Sequence, residues 1–333
     1  MSKLKDVLLA TDVFPEYSVP SVCGVSVIKV PARSKSKLAG KCVACVAHHK
    51  GNAVKGFIVD ETNFSHWQEL QNPLVTLEML PNICDHIASP DIIYLEEMDL
   101  FVLSVHGKLR FSDDRARYGK QGTVLLTSTN GIDFRNSSDV FANAYSRIHI
   151  RTDKAVFLFE KFGAHHVKVG KLTNFPSSQS MSHLAYLTIN NIRHFSVFDE
   201  GTNFKIFYTR IFDYPESIMV NEYSWNDFSL CSSHRLKMPF PNDLNLLSSF
   251  KSWPGMPLSP YYGCRDPFLF ESDEKKYLIF SRNGEHAISV FDLAYGTFIP
   301  VKNDRFKVWR IQYMFGKFVR YLYWKFLKLK EVL

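Results

Sequence analysis

The sequence predicts an all-β fold, a five-bladed β-propeller followed by a C-terminal amphipathic α-helix. Three observations support this prediction. Residues 261–293 have the pattern of a β-meander, similar layouts recur earlier in the chain, and residues 305–333 change to a basic amphipathic pattern. The expected organisation is therefore an N-terminal segment 1–20, a propeller 21–300 and a basic helical tail 301–333.

The stretch 261–293 carries the clearest strand pattern. Its short runs of β-branched and aromatic residues are separated by Pro267, the charged loop 271–276 and Gly284. Such runs between turn-forming residues are typical of strands rather than helices. Polar side chains at the expected strand ends can meet outside the core, and they are Arg265, Asp266, Arg282, Glu285 and His286.

Four similar layouts precede this stretch, beginning near residues 23, 89, 145 and 193. In each, a polar residue opens a short strand and a hairpin follows. The spacing of roughly fifty to seventy residues suits propeller blades of about 40–50 residues plus loops. A single small sheet cannot bury both of its faces, whereas sheets arranged in a closed ring can. A β-sandwich, with polar residues at strand ends simply because strands end at the surface, is the alternative.

In a propeller, the first strand of each blade lines the central channel, so polar residues at the strand heads should meet around one axis. The first set of candidates is Ser26, Asp91, Arg147, His194 and Asp266, and the second set is His49, His106 and Glu216.

Composition agrees with a large β-rich core, since 46% of the 333 residues are hydrophobic and 14% are aromatic. The N-terminal apolar run is too short and too polar for a secretory signal, and no window is apolar enough to span a membrane, so a cytoplasmic location is expected. Cys42 and Cys45 form a CxxC motif inside an apolar strand. Because no second such motif exists, we interpret the six cysteines as reduced thiols rather than a zinc site.

Several short motifs occur along the chain in the same order as in a known family. They are HHKG (48–51), HIASPD (86–91), HG (106–107), STNGIDF (128–134), RH (193–194), DYPES (213–217), RDP (265–267) and NGEHAI (283–288). Together they resemble a bacterial branch of proteins related to the five-bladed propellers of glycoside hydrolase families 43 and 32, over about residues 20–293. The resemblance implies a propeller that acts on carbohydrate.

The resemblance also implies catalytic residues. Ser89-Pro90-Asp91 is similar to the family 43 motif whose aspartate supports the general acid, and Glu216 matches the acid itself less securely. The family carries an aspartate base at the head of its first blade, where this chain has Cys23-Gly24-Val25-Ser26. Either Asp266 takes that role or the hydrolytic base is absent. The catalytic candidates are therefore Asp91, Glu216 and Asp266.

Chemistry at a glycosidic bond needs two carboxylates, roughly 6.5–9.5 Å apart for inversion and about 5–5.5 Å apart for retention. Neighbouring arginines and histidines could separate their pKa values. The candidates for substrate binding are His48, His49, His106, Arg147, Arg193, His194, Arg265, Arg282 and Glu285. Each could instead cap a turn, lie at the surface or bridge waters.

No cofactor is predicted from a motif. The histidine pairs 48/49 and 165/166 fall on strands, where neighbouring side chains point to opposite faces, so no metal site is assigned. A structural cation in the channel is left open.

The tail 305–333 contains eight Lys and Arg residues and one acidic residue, and its apolar side chains fall on one helical stripe. The stripe could pack on the propeller or on an identical subunit, which leaves an oligomer open. It could also lie on an anionic membrane surface, where each basic residue contributes about 1 kcal/mol. Nucleic acid is not an expected partner, because no recognition module accompanies the charge.

Three functions remain open on the sequence. A glycoside hydrolase follows from the resemblance. A glycosyltransferase that builds surface polysaccharide on a lipid carrier at the inner leaflet would suit the basic tail and the missing aspartate. A non-catalytic glycan-binding propeller remains if no two carboxylates meet.

Overall fold

The structure is a computed structural model, and it describes residues 4–110, 121–137, 140–177, 180–211, 213, 216–237, 263–272, 275–282 and 285–301. The predicted tail helix lies outside the described residues from residue 302 onward. In the described ranges, no helix is both long enough and apolar enough to cross a membrane.

The chain begins with the strand β1 (Leu4–Leu9) and one helical turn, α1 (Ala10–Val13). Blade one then contains β2 (Cys23–Lys29), β3 (Cys42–Ala47), β4 (Ala53–Val59), β5 (Trp67–Glu69) and the short β6 (Val75–Thr76). Blade two contains β7 (Ala88–Leu95), β8 (Leu100–Lys108), β9 (Gln121–Ser128), β10 (Arg135–Asn136) and β11 (Ala142–Asn143).

The remaining blades follow in chain order. Blade three contains β12 (Ser146–Ile150), β13 (Val156–Phe162), β14 (His166–Leu172) and β15 (Met181–Thr188). Blade four contains β16 (Ile192–Asp199), β17 (Asn203–Arg210), β18 (Met219–Ser224), β19 (Leu230–Lys237) and β23 (Thr297–Pro300). Blade five contains β20 (Cys264–Ser272), β21 (Lys275–Arg282), β22 (Ala287–Asp292) and β1. Short 3₁₀ turns lie at Leu77–Met79 and Leu293–Tyr295.

The innermost strand comes first in the chain in blades one to four, and in blade five it is β20, the first strand after blade four. These five strands, β2, β7, β12, β16 and β20, contact one another in a closed cycle. The predicted five-bladed propeller is therefore confirmed, and the alternative of a two-sheet β-sandwich is wrong.

Apolar side chains fill the spaces between adjacent blades. Val43 and Leu103 belong to a cluster shared by blades one and two, and Ile279 belongs to one shared by blades five and one. Between blades three and four, the rings of Phe159 and Phe204 lie with centroids 5.5 Å apart. Each large side chain buried in this way contributes roughly 1.5–3 kcal/mol. The core is thus a set of blade-to-blade layers around the channel.

The N-terminal strand closes the ring. β1 pairs antiparallel with β22, the third strand of blade five. The carboxylate of Asp6 on β1 contacts Arg282 on β21 and Ser289 on β22. Part of the segment 1–20, which the sequence set apart from the propeller, thereby supplies the outermost strand of the last blade.

A β-bulge interrupts the innermost strand in four blades, between Cys23 and Ser26, Ala88 and Asp91, Ile192 and Phe195, and Arg265 and Phe268. The bulge starts with left-handed backbone at Gly24, Ser89 and Asp266, with φ of 63°, 46° and 47°. Bulges re-aim the side chains around them. In the pairing of the first strand with the second strand, Asp266 of blade five occupies the position that Ser89 has in blade two. Asp91 lies two positions further along its strand.

Gly24 is the tightest of these positions. A Cβ atom there would lie 2.4 Å from Ser89 Cα in the neighbouring blade, and φ is already left-handed. We expect Gly24→Ala to destabilise the protein by about 2–4 kcal/mol, because it adds both backbone strain and overlap between two blade heads. Urea unfolding followed by tryptophan fluorescence measures this.

The matched control is Gly40→Ala. Gly40 also has left-handed backbone, with φ of 73°, but a Cβ there would meet nothing within 4 Å. This control variant should lose only about 1 kcal/mol of unfolding free energy. Equal losses in the two variants would show that contact between the blade heads does not limit the space at Gly24.

His149 on β12 makes stability depend on pH. Its ring stacks on Trp225 with centroids 6.0 Å apart, and its buried Nε2 has no hydrogen-bond partner among the described residues. Burial lowers the pKa of His149 to about 4. The unfolded chain binds this proton near pH 6.5, whereas the folded chain binds it only near pH 4. The protein therefore loses up to roughly 3 kcal/mol of stability as the pH falls between those values.

We therefore expect His149→Phe to weaken the fall in stability between pH 7 and pH 4.5, as measured by urea unfolding across that range. His66→Phe, at an exposed histidine, is the control. An unchanged pH slope in His149→Phe would contradict the assignment.

Candidate functional site

One mouth of the central channel contains a cavity of about 280 Å³. Its lining comes from the strand heads and the turns after the second strands, the parts of each blade that converge at this end. The lining side chains that can bind a metal or transfer a proton are Cys23, His49, His86, His106, His194 and Asp266. The cavity is also lined by the polar residues Lys50, Ser89, Gln121 and Tyr145. Imidazole groups thus dominate this cavity.

Asp266 and His194 form a buried pair at the cavity. His194 Nδ1 lies 2.9 Å from Asp266 Oδ1, and the two side chains are 3% and 1% exposed. Burial favours the protonated acid, but the electrostatic effect of the adjacent His194 outweighs burial and lowers the pKa of Asp266. Burial also lowers the pKa of His194, although Asp266 opposes this. Asp266 is therefore the anion of the pair, and it orients the ring of His194.

Glu285 and His49 form a second pair of the same type. His49 Nδ1 lies 2.8 Å from Glu285 Oε2, and the Glu285 side chain is fully buried. The other carboxylate oxygen lies 2.7 Å from Arg265 NH1. Burial would raise the pKa of Glu285, but His49 and Arg265 hold it well below the usual range. Asp266 and Glu285 interact electrostatically, so two carboxylate–histidine pairs share this end of the channel.

Arg265 is the centre of a buried charge network beneath the cavity. Its Nε donates to Glu216 Oε2 at 2.9 Å, and its NH1 donates to Glu285 Oε1 at 2.7 Å. Arg193 NH1 lies 3.6 Å from Glu216 Oε1. Glu216 is 1% exposed and does not line the cavity. Its carboxylate is thus engaged by two guanidinium groups and ties blade four to blade five.

Three rings form a row along one side of the cavity. Tyr145 lies with its ring centroid 4.4 Å from that of His106 and 4.8 Å from that of His194. Burial, followed by the neighbouring His86 and His194, lowers the pKa of His106 well below its usual value. Burial raises the pKa of Tyr145 to about 12. This wall therefore presents a neutral imidazole and a protonated phenol.

Asp91 and Arg147 occupy a different level of the channel. They line a separate cavity of about 330 Å³ that contains none of the mouth residues. Asp91 accepts from Ser26 Oγ at 3.4 Å and from Ile148 N at 3.1 Å, and Arg147 NH1 lies 3.4 Å from it. Burial raises the pKa of Asp91 despite Arg147. Asp91 thereby connects the innermost strands of blades one, two and three.

Two other predicted residues lie away from the mouth cavity. His48 stacks on Tyr17 with ring centroids 3.9 Å apart, and its Nε2 lies 3.0 Å from Val19 O. Arg282 contacts Asp6 in the closing strand of blade five. Neither residue lines the mouth cavity.

The structure therefore divides the predicted site residues into groups. His49, His106, His194 and Asp266 line the mouth cavity, while Arg193, Glu216, Arg265 and Glu285 form the charge network that adjoins it. Sequence reasoning did not include Cys23, Lys50, His86 and Tyr145 in the site. The signal was available, because Cys23 and Tyr145 stand at recognised strand heads and Lys50 follows a recognised histidine pair.

One group of side chains has the composition of a metal site. One ligand atom from each of Cys23, His49 and Glu285 falls within 4.8 Å of the other two. The carboxylate–histidine pairs can also hold and move protons next to the cavity, because each pair leaves the histidine Nε2 outside the ion pair.

Comparison with known proteins supports the fold. No protein-family model matches the chain, and no curated protein matches it. Solved structures do match, and they show that this chain shares its five-bladed fold with the family 43 glycoside hydrolases. The resemblance expected from the sequence is thus confirmed for the fold.

Three matched structures illustrate this likeness. A family 43 β-xylosidase/α-arabinofuranosidase from a compost metagenome, in complex with xylotriose, has a TM-score of 0.60 and 8% identity, over 90% of this chain and 97% of that one. A GH43_1 enzyme from Xanthomonas citri, complexed with xylose, has a TM-score of 0.58 and 9% identity, over 84% of this chain and 91% of that one. An exo-β-1,3-galactanase from Phanerochaete chrysosporium, with β-1,3-galactotriose, has a TM-score of 0.56 and 8% identity, over 84% and 62%.

Loss of Arg265 should strongly destabilise the fold. We expect Arg265→Met to cost about 3–5 kcal/mol at pH 7, because it leaves the buried carboxylates of Glu216 and Glu285 without their shared guanidinium. Urea unfolding at pH 7 measures this loss.

The pH dependence provides the control. Arg265 helps to hold the pKa of Glu285 low, so its removal should let Glu285 take up a proton at higher pH in the folded state. A group with a depressed folded pKa contributes stability at higher pH that is lost on acidification. The difference in unfolding free energy between the parent and Arg265→Met should therefore become smaller as the pH falls from 7 towards 4. A difference that stays constant over this range would contradict the proposed role of Arg265.

Proposed function

We propose that this chain is a carbohydrate-active enzyme that acts at a glycosidic bond bound in the mouth cavity. The observation that supports the proposal is the pair of carboxylate–histidine units, Asp266–His194 and Glu285–His49, beside one cavity. Cleavage of a glycosidic bond needs one group that removes a proton and one that supplies a proton to the departing oxygen. Two separate proton-handling units meet this requirement.

Asp266–His194 is the better base. The Asp266 anion lies 2.9 Å from Nδ1 of His194 and favours a proton on that atom, which leaves the lone pair on Nε2. Because burial lowers the pKa of His194, its ring stays neutral near pH 7 and can accept a proton from a water or a sugar hydroxyl. This arrangement would replace the aspartate that family 43 carries at the head of its first blade.

Glu285–His49 is the corresponding candidate for the proton donor. His49 is 16% exposed at the cavity, whereas Glu285 is buried behind it and fixed by Arg265. The Glu285 carboxylate lies against the His49 ring, and that ring is the part of the pair that lines the cavity and that a substrate can reach. Asp91 and Glu216, the other predicted catalytic carboxylates, lie outside the cavity lining, so we assign them to positioning the blades.

The ligands named for the matched structures agree with a sugar substrate. Xylose, xylotriose and β-1,3-galactotriose are bound by those proteins. The mouth cavity, at about 280 Å³, is close to the lower end of the usual range for small-molecule sites, roughly 300–1000 Å³. Its size suits a short sugar unit rather than a long polysaccharide segment.

Transfer from an activated sugar is the second candidate. Asp266 is the one carboxylate among the described lining residues, and it stands beside Lys50 and four histidines. Such a surface can stabilise a phosphate leaving group, while Asp266–His194 deprotonates an acceptor hydroxyl. Membrane attachment and oligomerisation through the tail, and the cytoplasmic location, remain predictions from the sequence.

The proposal predicts a large catalytic effect at Asp266. We expect Asp266→Asn to lower kcat by about 100-fold or more with little change in sugar binding, because an amide cannot stabilise the charged form of His194. The activity of the parent should fall on acidification as His194 takes up a proton, at a pH lower than for an ordinary histidine because burial lowers its pKa. Sugar release from aryl glycosides and short oligosaccharides, with calorimetry for binding, measures both effects.

The control is Asp213→Asn. Asp213 is an equally buried aspartate, paired with Arg210 and Arg235 in blade four and absent from the cavity. This variant should keep the activity of its folded fraction. Turnover only with a nucleotide-activated or lipid-linked sugar would favour transfer, and sugar binding without turnover in either assay would contradict an enzymatic role.

A further inference from the structure

Cys23, His49 and Glu285 come together from three separate turns. Cys23 lies at the head of β2, His49 follows β3, and Glu285 lies in the turn between β21 and β22. One ligand atom from each lies within 4.8 Å of the other two. Thiolate, imidazole and carboxylate are the three side-chain groups that zinc prefers in proteins.

The contact between His49 and Glu285 does not have hydrogen-bond geometry. Although His49 Nδ1 lies 2.8 Å from Glu285 Oε2, no aligned hydrogen bond reaches this fully buried oxygen. Two ligands of one cation also lie close together without pointing at each other, because both point at the ion.

We propose that Cys23, His49 and Glu285 bind one zinc-class divalent cation, with its fourth position open to the mouth cavity. With metal–N and metal–O bonds near 2.1 Å, a tetrahedral ion would hold the His49 and Glu285 ligand atoms about 3.4 Å apart. The metal–S bond of about 2.3 Å would place the Cys23 sulfur about 3.6 Å from each. Small side-chain movements therefore suffice to bring the three ligand atoms from their present separations to these distances.

The surroundings hold these ligands in place. Arg265 NH1 donates to the second oxygen of Glu285 at 2.7 Å, so Oε2 is the oxygen that faces His49. The backbone of His49 donates to Ser21 Oγ at 2.9 Å, and Val22 N donates to Glu285 O at 2.7 Å. Outer contacts of this kind usually orient metal ligands.

The backbone of Glu285 supports the assignment. Its φ of 75° is left-handed, which is uncommon for a residue other than glycine. Such conformations concentrate at ligand sites, where surrounding contacts hold them. Here the conformation accompanies a buried carboxylate directed at His49.

Three protein ligands and one open position are typical of catalytic rather than structural zinc sites. A cation at this position would take the place of the proton between His49 and Glu285, and its open position would then face a substrate in place of the proton donor proposed for this pair. The inference depends on the three ligands and not on the proposed reaction, so metal binding can be tested without any activity assay.

The experiment uses the full chain in a Cys84→Ser/Cys231→Ser background, which removes the two exposed thiols. After chelator treatment and dialysis, the protein is titrated with Zn²⁺ against a chromogenic chelator and, separately, with Co²⁺. We expect one equivalent of Zn²⁺ per chain and a near-ultraviolet thiolate-to-cobalt absorption band. Ca²⁺ should compete weakly, because it prefers oxygen ligands.

Cys23→Ala and Glu285→Gln should each weaken Zn²⁺ binding at least 10-fold, and Cys23→Ala should lose the cobalt band. Cys45→Ala removes another fully buried thiol, on β3, and should keep both signals. Failure of the parent to bind Zn²⁺ stoichiometrically, or a cobalt spectrum without thiolate absorption, would overturn the proposal without affecting the test of Asp266. Because the cobalt spectrum is taken on the parent, this result does not depend on the folding of any variant.

Discussion

The shared guanidinium of Arg265 is the interaction on which the site depends. This side chain is almost completely buried and joins Glu216, which precedes β18, to Glu285, which follows β21. Buried carboxylates require compensation by opposite charge. Arg265 supplies it and, in doing so, fixes Glu285 behind His49 and holds blades four and five together. The residue that follows it, Asp266, then starts the bulge that brings its own carboxylate to the cavity.

Much of the fold could be predicted from the sequence because each blade has a strand-length apolar pattern and a polar head. The five-blade ring follows from these repeats and from the need to bury both faces of each sheet. The closing role of β1 could not be predicted in this way, because the pairing of β1 with β22 joins residues at opposite ends of the propeller. Such distant pairing leaves no local pattern.

The site was predicted only in part, and the bulges give the reason. Asp91 and Asp266 look equivalent in the sequence, as carboxylates beside a proline at a strand head. The register places Asp266 level with Ser89 and Asp91 two positions further on, so the two carboxylates belong to different levels of the channel. Glu285 was predicted among the substrate-binding residues, and the structure buries its carboxylate behind His49, outside the cavity lining. Neither the register nor the pairing can be deduced from residue spacing alone.

The most direct test is a crystal structure of the Asp266→Asn chain with a bound short oligosaccharide. We predict that the sugar occupies the mouth cavity, with a glycosidic oxygen or anomeric carbon within reach of His194 and His49. Binding at the other cavity, beside Asp91 and Arg147, would contradict the account, because the reactive groups would then be those at the opposite level of the channel.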